Sequence, residues 1–284
     1  MNQHTPDWID GRLTAEIAPF CVLWVVVGSD RCAYAAIDAR GEVLAVVQRD
    51  YPEPGAPFWR ISPHVKRLLE SSPVWHLPFG QRQGFLFHAN TTLVPRRFFQ
   101  HGDLSSYFRL LMHGGDYTYA CEELPPWGAY LVFATERAHV RLFQTLFPGA
   151  RLRHSATAWL LAAEQLTTPS QEHTVLLDVR HQLLQIAVLE RQNLLFYNTF
   201  SYTGANDLLY YALLAYHQFR LSPEKVPLWL TGNILTESEL FRKLYAYVRD
   251  IRFAQPCTRW RLPREATELL PAHCYFDLMS LSVV

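Results

Sequence analysis

The chain has no surplus of charge: Lys plus Arg and Asp plus Glu each number 26 in 284 residues. A neutral molecule makes no long-range field for gathering polyanions, so nucleic acid is not an expected partner. Arg96-Arg97 and Lys66-Arg67 are isolated basic pairs that read as solvated faces. A membrane-length apolar run is also missing. The longest, Ile17 to Val27, is broken by Pro19 and falls short of the roughly 18 residues of a span, so it reads as a strand. Met1 to Glu16 carries Asp7, Asp10 and Glu16 and has no basic cluster leading into an apolar stretch, unlike a secretory signal. The cytoplasm is the expected location. Cysteine is scarce: Cys21, Cys32, Cys121, Cys257 and Cys274 include no pair at metal spacing and are expected as buried free thiols. His101-Gly102-Asp103 and His113-Gly114-Gly115-Asp116 lack a third ligand at suitable spacing and read as loops, so no metal site is expected. Ser29, Ser155 and Ser201 are not in a nucleophile-elbow context, and no residue is assigned a catalytic role.

What is present is an order of elements. Cys21 to Val27, the turn Gly28-Ser29-Asp30-Arg31, Cys32 to Asp38, the turn Ala39-Arg40-Gly41 and Glu42 to Gln48 read as a three-stranded meander. Pro52, Pro54 and Pro57 break it, and Phe58 to Glu70 has the helical spacing Ile61, Val65, Leu68, Leu69. Strands are expected at Gln83 to Ala89 and Thr91 to Val94, short helices at Arg96 to Gln100 and Leu104 to Met112, and strands at Tyr117 to Cys121 and Ala129 to Ala134. Glu136 to Phe147 reads as an amphipathic helix and Ala150 to His154 as a returning parallel strand, followed by a helix over Ser155 to Leu166.

The first pattern then recurs. Thr174 to Val179, Gln182 to Glu190 and Leu194 to Phe200 form a second meander, and a helix from Asp207 to Phe219 follows, with Asn206 placed to cap it. That helix holds hardly a charge and is expected to be covered on most sides. Adjacent Tyr210 and Tyr211 read as packing residues. Beyond it come a buried strand at Pro227 to Leu230, the turn Thr231-Gly232-Asn233, a helix over Glu237 to Val248, a strand at Ile251 to Ala254, and short helices near Arg264 to Leu270 and Cys274 to Leu281. Two meanders, each followed by α and β crossovers, point to a duplicated α/β architecture. The expected division is an N-terminal lobe over 1–166, a polar linker over 167–172 and a C-terminal lobe over 173–284.

A doubled β-β-β-α unit resembles the actin-like ATPase fold, built from two ribonuclease-H-like lobes. Asn198-Thr199-Phe200-Ser201-Tyr202 followed by Asp207 and Tyr210-Tyr211, Leu228 to Gly232, Val94-Pro95 ahead of Phe98-Phe99, and His273-Cys274-Tyr275-Phe276 together resemble the bacterial domain-of-unknown-function family 3822, which is assigned that fold. A more distant likeness is to the actin-like proteins of type IV pilus assembly, which implies a protein or short-peptide partner.

In active members of the fold, an Asp-x-Gly turn opens each lobe: glycine lets backbone N–H groups approach the phosphates, and the acid organises magnesium or water. The positions that correspond here are Ser29 and Asp30, Asp178 and Arg180, and Gly232 and Asn233. In the first turn glycine precedes the acid. In the second, Arg180 stands where glycine is expected and Leu183 where a hydroxyl is expected. A glycine-rich turn in the second lobe of active members receives the adenosine, and the corresponding Thr231-Gly232-Asn233-Ile234 offers one glycine instead of two. Apart from the resemblance, Asp30 and Asp178 read as acids that cap or solvate turns, Arg180 as an exposed turn charge or a direct phosphate ligand, and Gly232 as a permissive backbone position. The expected function is a binding or scaffold module that does not hydrolyse ATP and holds no cofactor. The alternative is an ATPase or phosphotransferase that uses Asp30 and Asp178 with ATP and magnesium.

Overall fold

The computed structural model describes residues 7–53, 56–112, 114–167, 172–256 and 259–284. Cys257, His113 and most of the expected linker lie outside the described residues. The strands are β1 (Trp8–Ile9), β2 (Val22–Gly28), β3 (Arg31–Ile37), β4 (Val43–Asp50), β5 (Gln81–Phe87), β6 (Thr91–Pro95), β7 (Tyr117–Leu124), β8 (Ala129–Glu136), β9 (His173–Val179), β10 (Leu183–Glu190), β11 (Asn193–Ser201), β12 (Leu228–Gly232) and β13 (Ile251–Phe253). The helices are α1 (Phe58–Glu70), α2 (Arg137–Leu146), α3 (Ser155–Glu164), α4 (Ala205–Gln218), α5 (Glu239–Tyr245), α6 (Arg264–Leu269) and α7 (Phe276–Ser280).

Two five-stranded sheets carry the fold, ordered β1-β4-β3-β2-β5 and β11-β10-β9-β12-β13. Within them the duplication is visible in the pairing. Each antiparallel meander gains a parallel strand beside its first member: β5 on β2, and β12 on β9. The two hairpins match in length, because Val27 pairs with Cys32 and Val179 with Leu184, leaving four residues between each pair. A third sheet, β6-β8-β7, is inserted between β5 and α3.

Because helices cover both faces of each large sheet, the central strands are continuous apolar runs rather than alternating ones. On β2, Leu23, Val25 and Val27 pack beneath α1 and α2 with Phe58, Val65 and Phe143, whereas Trp24 and Val26 turn inward to Ala158 of α3 and to Tyr275, Leu278 and Met279 of the tail. On β9, Val175, Leu177 and Val179 pack against Leu208, Ala212 and Leu244 of α4 and α5, and Leu176 turns inward to the cluster of Trp159, Leu160 and Phe276. Helices α3 and α7 therefore lie between the sheets. Asp178, two residues along from Leu176, inherits that inward face.

Several local expectations are corrected. Ala150 to His154 does not form a strand; it meets β5 through a single parallel bridge, Leu86 to His154, and this segment does not pair with β8. The expected short helices after β6 are 3-10 turns at Arg96–Phe98 and Leu104–Phe108. Helix α4 begins at Ala205 rather than at Asp207, with Gly204 as its N-cap residue. Asp207, in the first turn, accepts hydrogen bonds from the Thr203 N–H at 2.9 Å and the Thr203 hydroxyl at 2.6 Å. It buries one side only, through Leu208, Ala212, Ala215 and Tyr216. Tyr211 stacks on Phe200 at 4.4 Å, but Tyr210 is 61% exposed. Strand β1, too short to carry a periodic signal, adds to the edge of the first meander. Cys21, Cys32 and Cys274 are buried free thiols, and Cys121 is a half-buried one.

Candidate functional site

The two four-residue turns, Gly28 to Arg31 and Arg180 to Leu183, meet between the sheets and bring together most of the residues singled out in the sequence. Arg180 reaches across and binds Asp30 through two bonds, Nε to Oδ2 at 2.8 Å and Nη2 to Oδ1 at 3.0 Å. Its Nη1 donates to Asp277 Oδ2 at 3.1 Å and stands 3.9 Å from Asp178 Oδ2. The guanidinium also lies 3.8 Å over the ring of Phe87, at the end of β5. Arg31 donates to the same Asp277 oxygen. Asp30, Arg31 and Asp178 are 0% exposed and Arg180 is 1% exposed. Arg180 is thus not an exposed turn charge, and neither carboxylate is a solvated turn acid. The physical reason is distance: a charge can be buried when its partners come from elements far away in the chain, which turn composition does not reveal.

Three carboxylates share two guanidinium groups here, and their protonation follows from that count. Burial works to raise the Asp277 carboxyl, but Arg31 and Arg180 outweigh it and hold it below its ordinary range. Asp178 goes the other way: burial and the Asp277 charge raise it, against partial opposition from Arg180 and Arg31. Burial alone would lower Arg180, yet the charges of Asp30, Asp277 and Asp178 keep it above its ordinary value. Asp50, at the solvent-side margin with His181 Nδ1 at 3.9 Å, is raised by burial.

Asp178 is held by a row across three strands. Register places Gln185 of β10 and Thr231 of β12 beside it, and they donate to its Oδ2 at 2.7 Å and Oδ1 at 2.8 Å. The row extends to Tyr197, whose hydroxyl donates to Gln185 at 2.8 Å, and to Trp159, whose indole N–H donates to Thr231 at 3.1 Å. Gly232 has φ +80°, and a Cβ there would stand 2.7 Å from Asp178 Oδ1 and closer still to the Val179 carbonyl oxygen. Asn233 contributes its backbone N–H to that same carbonyl at 2.7 Å. Ser29 is half-buried, and its backbone N–H donates to Phe87 O at 2.9 Å. Ser29 and Asn233 therefore support the turns through backbone bonds, while Asp30, Asp178 and Arg180 form the charged centre.

Sequence reasoning missed Arg31, Gln185, Thr231 and Asp277. Asp277 did leave a signal, as the single charge in the apolar run Cys274 to Leu281. Among the described residues there is no cluster of metal-ligating side chains and no helix long and apolar enough to cross a membrane.

Residues 10–251 match the model of the family described as protein of unknown function (DUF3822). No curated protein matches the sequence. Among solved structures, a Bacteroides thetaiotaomicron protein with actin-like ATPase fold and unknown function aligns at TM-score 0.78 and 14% identity, over 96% of this chain and 100% of that one. A chain of the PilM-PilN type IV pilus biogenesis complex aligns at 0.61 and 14%, over 92% and 97%. The ethanolamine utilization protein EutJ from Carboxydothermus hydrogenoformans aligns at 0.50 and 10%, over 97% and 92%. These likenesses are of fold, and the fold is that of the actin-like ATPases.

Proposed function

The chain belongs to the DUF3822 family of proteins of unknown function, and for this actin-like member we propose a binding or scaffold role without ATP hydrolysis. The observation that carries the reading is Arg180: its guanidinium lies between the two hairpin turns and takes both oxygens of Asp30. A triphosphate with magnesium needs backbone N–H groups open to the phosphates and carboxylate oxygens free for the cation or its waters. The residues present do not fit that need. Asp30 is committed to Arg180, Asp178 accepts from Gln185 and Thr231, and the guanidinium fills the approach a glycine would leave open.

The reading expects a protein or short-peptide partner, by likeness to the fold neighbour solved in a pilus biogenesis complex, together with no nucleic-acid binding and a cytoplasmic location. The rival is an ATPase or phosphotransferase that employs Asp30 and Asp178, which would require Arg180 to leave its site. Isothermal titration of the full chain with ATP and magnesium separates them. The scaffold reading expects no heat of binding; micromolar affinity, with turnover abolished by Asp178→Ala, would defeat it.

A further inference from the structure

The inserted sheet ends in an unpaired edge. Strand β7 runs eight residues in unbroken register with β8. The Arg137 N–H donates to the Asp116 carbonyl at 2.8 Å, which sets the phase of the ladder. Thr118, Ala120, Glu122 and Leu124 therefore exchange their backbone bonds with β8, and Tyr117, Tyr119, Cys121 and Glu123 turn theirs away from it. Among the described residues, none of those outward N–H and C=O groups has a hydrogen-bond partner. Both faces of the strand are nevertheless packed: Tyr117, Tyr119 and Cys121 lie with Phe108 and Val132, and Leu124 lies with Trp159 of α3. The other edges are shorter or blunted. His154 bridges β5, β1 and β13 have two and three residues, and β6 has five and ends in Pro95. On β11 the run is broken by a register shift and by the Asn198 side chain, which accepts from the Thr199 N–H. Strand β7 carries none of the lysine, proline or bulge devices that discourage an added strand.

The charge beside this edge is positive. Arg151 acts electrostatically on both Cys121 and Glu122, whose side chains leave β7 on opposite faces, so it stands beside the strand rather than over either face. Arg137 pairs with Asp116 just ahead of β7, and Arg141 follows one turn along α2 on the same flank. The acids nearby are committed. Asp116 is taken by Arg137 and Glu123 by Arg96. Glu122 accepts from the His154 N–H at 2.7 Å and the Thr157 hydroxyl at 2.8 Å, with Arg153 at 3.7 Å. Arg141 and Arg151 are exposed, and among the described residues neither has an ion pair. On the reading above that the partner is a protein or short peptide, we propose that β7 takes an extended acidic segment of that partner as a further strand of the inserted sheet. The backbone of the edge supplies the hydrogen bonds, and Arg141 and Arg151 select carboxylates. A second copy of this chain fits less well, because pairing β7 with β7 brings the same arginines together and adds no uncommitted acid.

The test is calorimetric titration of the full chain with a blocked seven-residue peptide alternating valine and glutamate, the length of the edge from Tyr117 to Glu123. Two controls replace glutamate by lysine or N-methylate every peptide bond. ATP titration is untouched by these results, so the absence of hydrolysis and the peptide site stand or fall separately. Saturable binding of the acidic peptide is expected, with each control at least tenfold weaker and at least tenfold loss in Arg151→Glu. Cys121→Pro removes one outward N–H and no bond to β8, a placement that edge strands tolerate. It should keep the cooperative melt of the parent and lose at least tenfold in affinity. Amide hydrogen exchange, read by mass spectrometry, should slow over residues 117–124 on binding and stay unchanged over β11. Absence of binding up to about 1 mM, equal binding of the lysine or N-methylated peptide, or protection confined to another strand would overturn the assignment. So would β7 amides already protected in a dimer of the free chain.

Discussion

Replacing Arg180 with Met removes one charge from the buried cluster between the two hairpin turns and keeps an apolar side chain to lie against Phe87. The arginine makes two bonds to Asp30 and one to Asp277, with Asp178 a further 3.9 Å away, and all of these partners are buried. Without it, three carboxylates share only Arg31. Removing one partner of a buried ion pair typically costs about 3–5 kcal/mol, because the other charge is left uncompensated. At a urea slope of roughly 2–3 kcal/mol per molar, that lowers the unfolding midpoint by about 1–2 M. The assay is urea denaturation followed by far-UV circular dichroism and by tryptophan fluorescence. A second arm adds Asp30→Asn to Arg180→Met: the double variant should be more stable than the sum of the two single losses implies, since the lone carboxylate is gone. A loss below about 1 kcal/mol in Arg180→Met, the size expected of an exposed pair, would refute the reasoning, as would strict additivity in the double variant.

Three further outcomes follow from the same structure. Gly232→Ala places a Cβ against the Val179 carbonyl oxygen at φ +80°, so strain of at least about 1–3 kcal/mol should appear as a lower urea midpoint. His154 accepts from Ala156 N through Nδ1 and is buried neutral, its pKa pushed down to about 3 from 6.5 by burial first. The unfolded chain then binds a proton that the folded chain refuses. Stability should fall as pH drops from about 6.5 towards 3, by about 3 kcal/mol at pH 4 from this group, and His154→Gln should flatten that slope in a pH series of urea midpoints. Truncation after Leu270 removes Phe276, Leu278, Met279 and Leu281, which pack between the sheets; no cooperative thermal transition should remain by calorimetry.

The fold was legible because its signal is local and repeated. Two three-stranded meanders with matching four-residue turns, each followed by a helix, survive any divergence of letters, since register and apolar runs encode them. Asp30, Asp178 and Arg180 were legible as positions because they sit in or beside those turns. Their state was not. Whether a turn arginine points to solvent or into the interior depends on Asp30, 150 positions away, and on Asp277, 97 positions away. Neither periodicity nor composition carries that information. The same holds for Gln185, which looks like an ordinary strand residue, and for Thr231, which reads as a turn residue, until register sets both beside Asp178. Segments with weak periodicity misled in the opposite sense: Ala150 to His154 has strand-like length but spends its backbone on one bridge to β5, and α4 has an apolar sequence yet leaves Tyr210 in solvent.

Phosphorus-31 NMR of ATP and magnesium, recorded with the full chain at comparable concentration over a day, addresses the claim that Arg180 closes the space between the hairpins to a triphosphate. Unchanged β- and γ-phosphate line widths with no growing orthophosphate signal are the predicted spectrum. Broadened β and γ resonances, or orthophosphate accumulating with time and lost in Asp178→Ala, would contradict it.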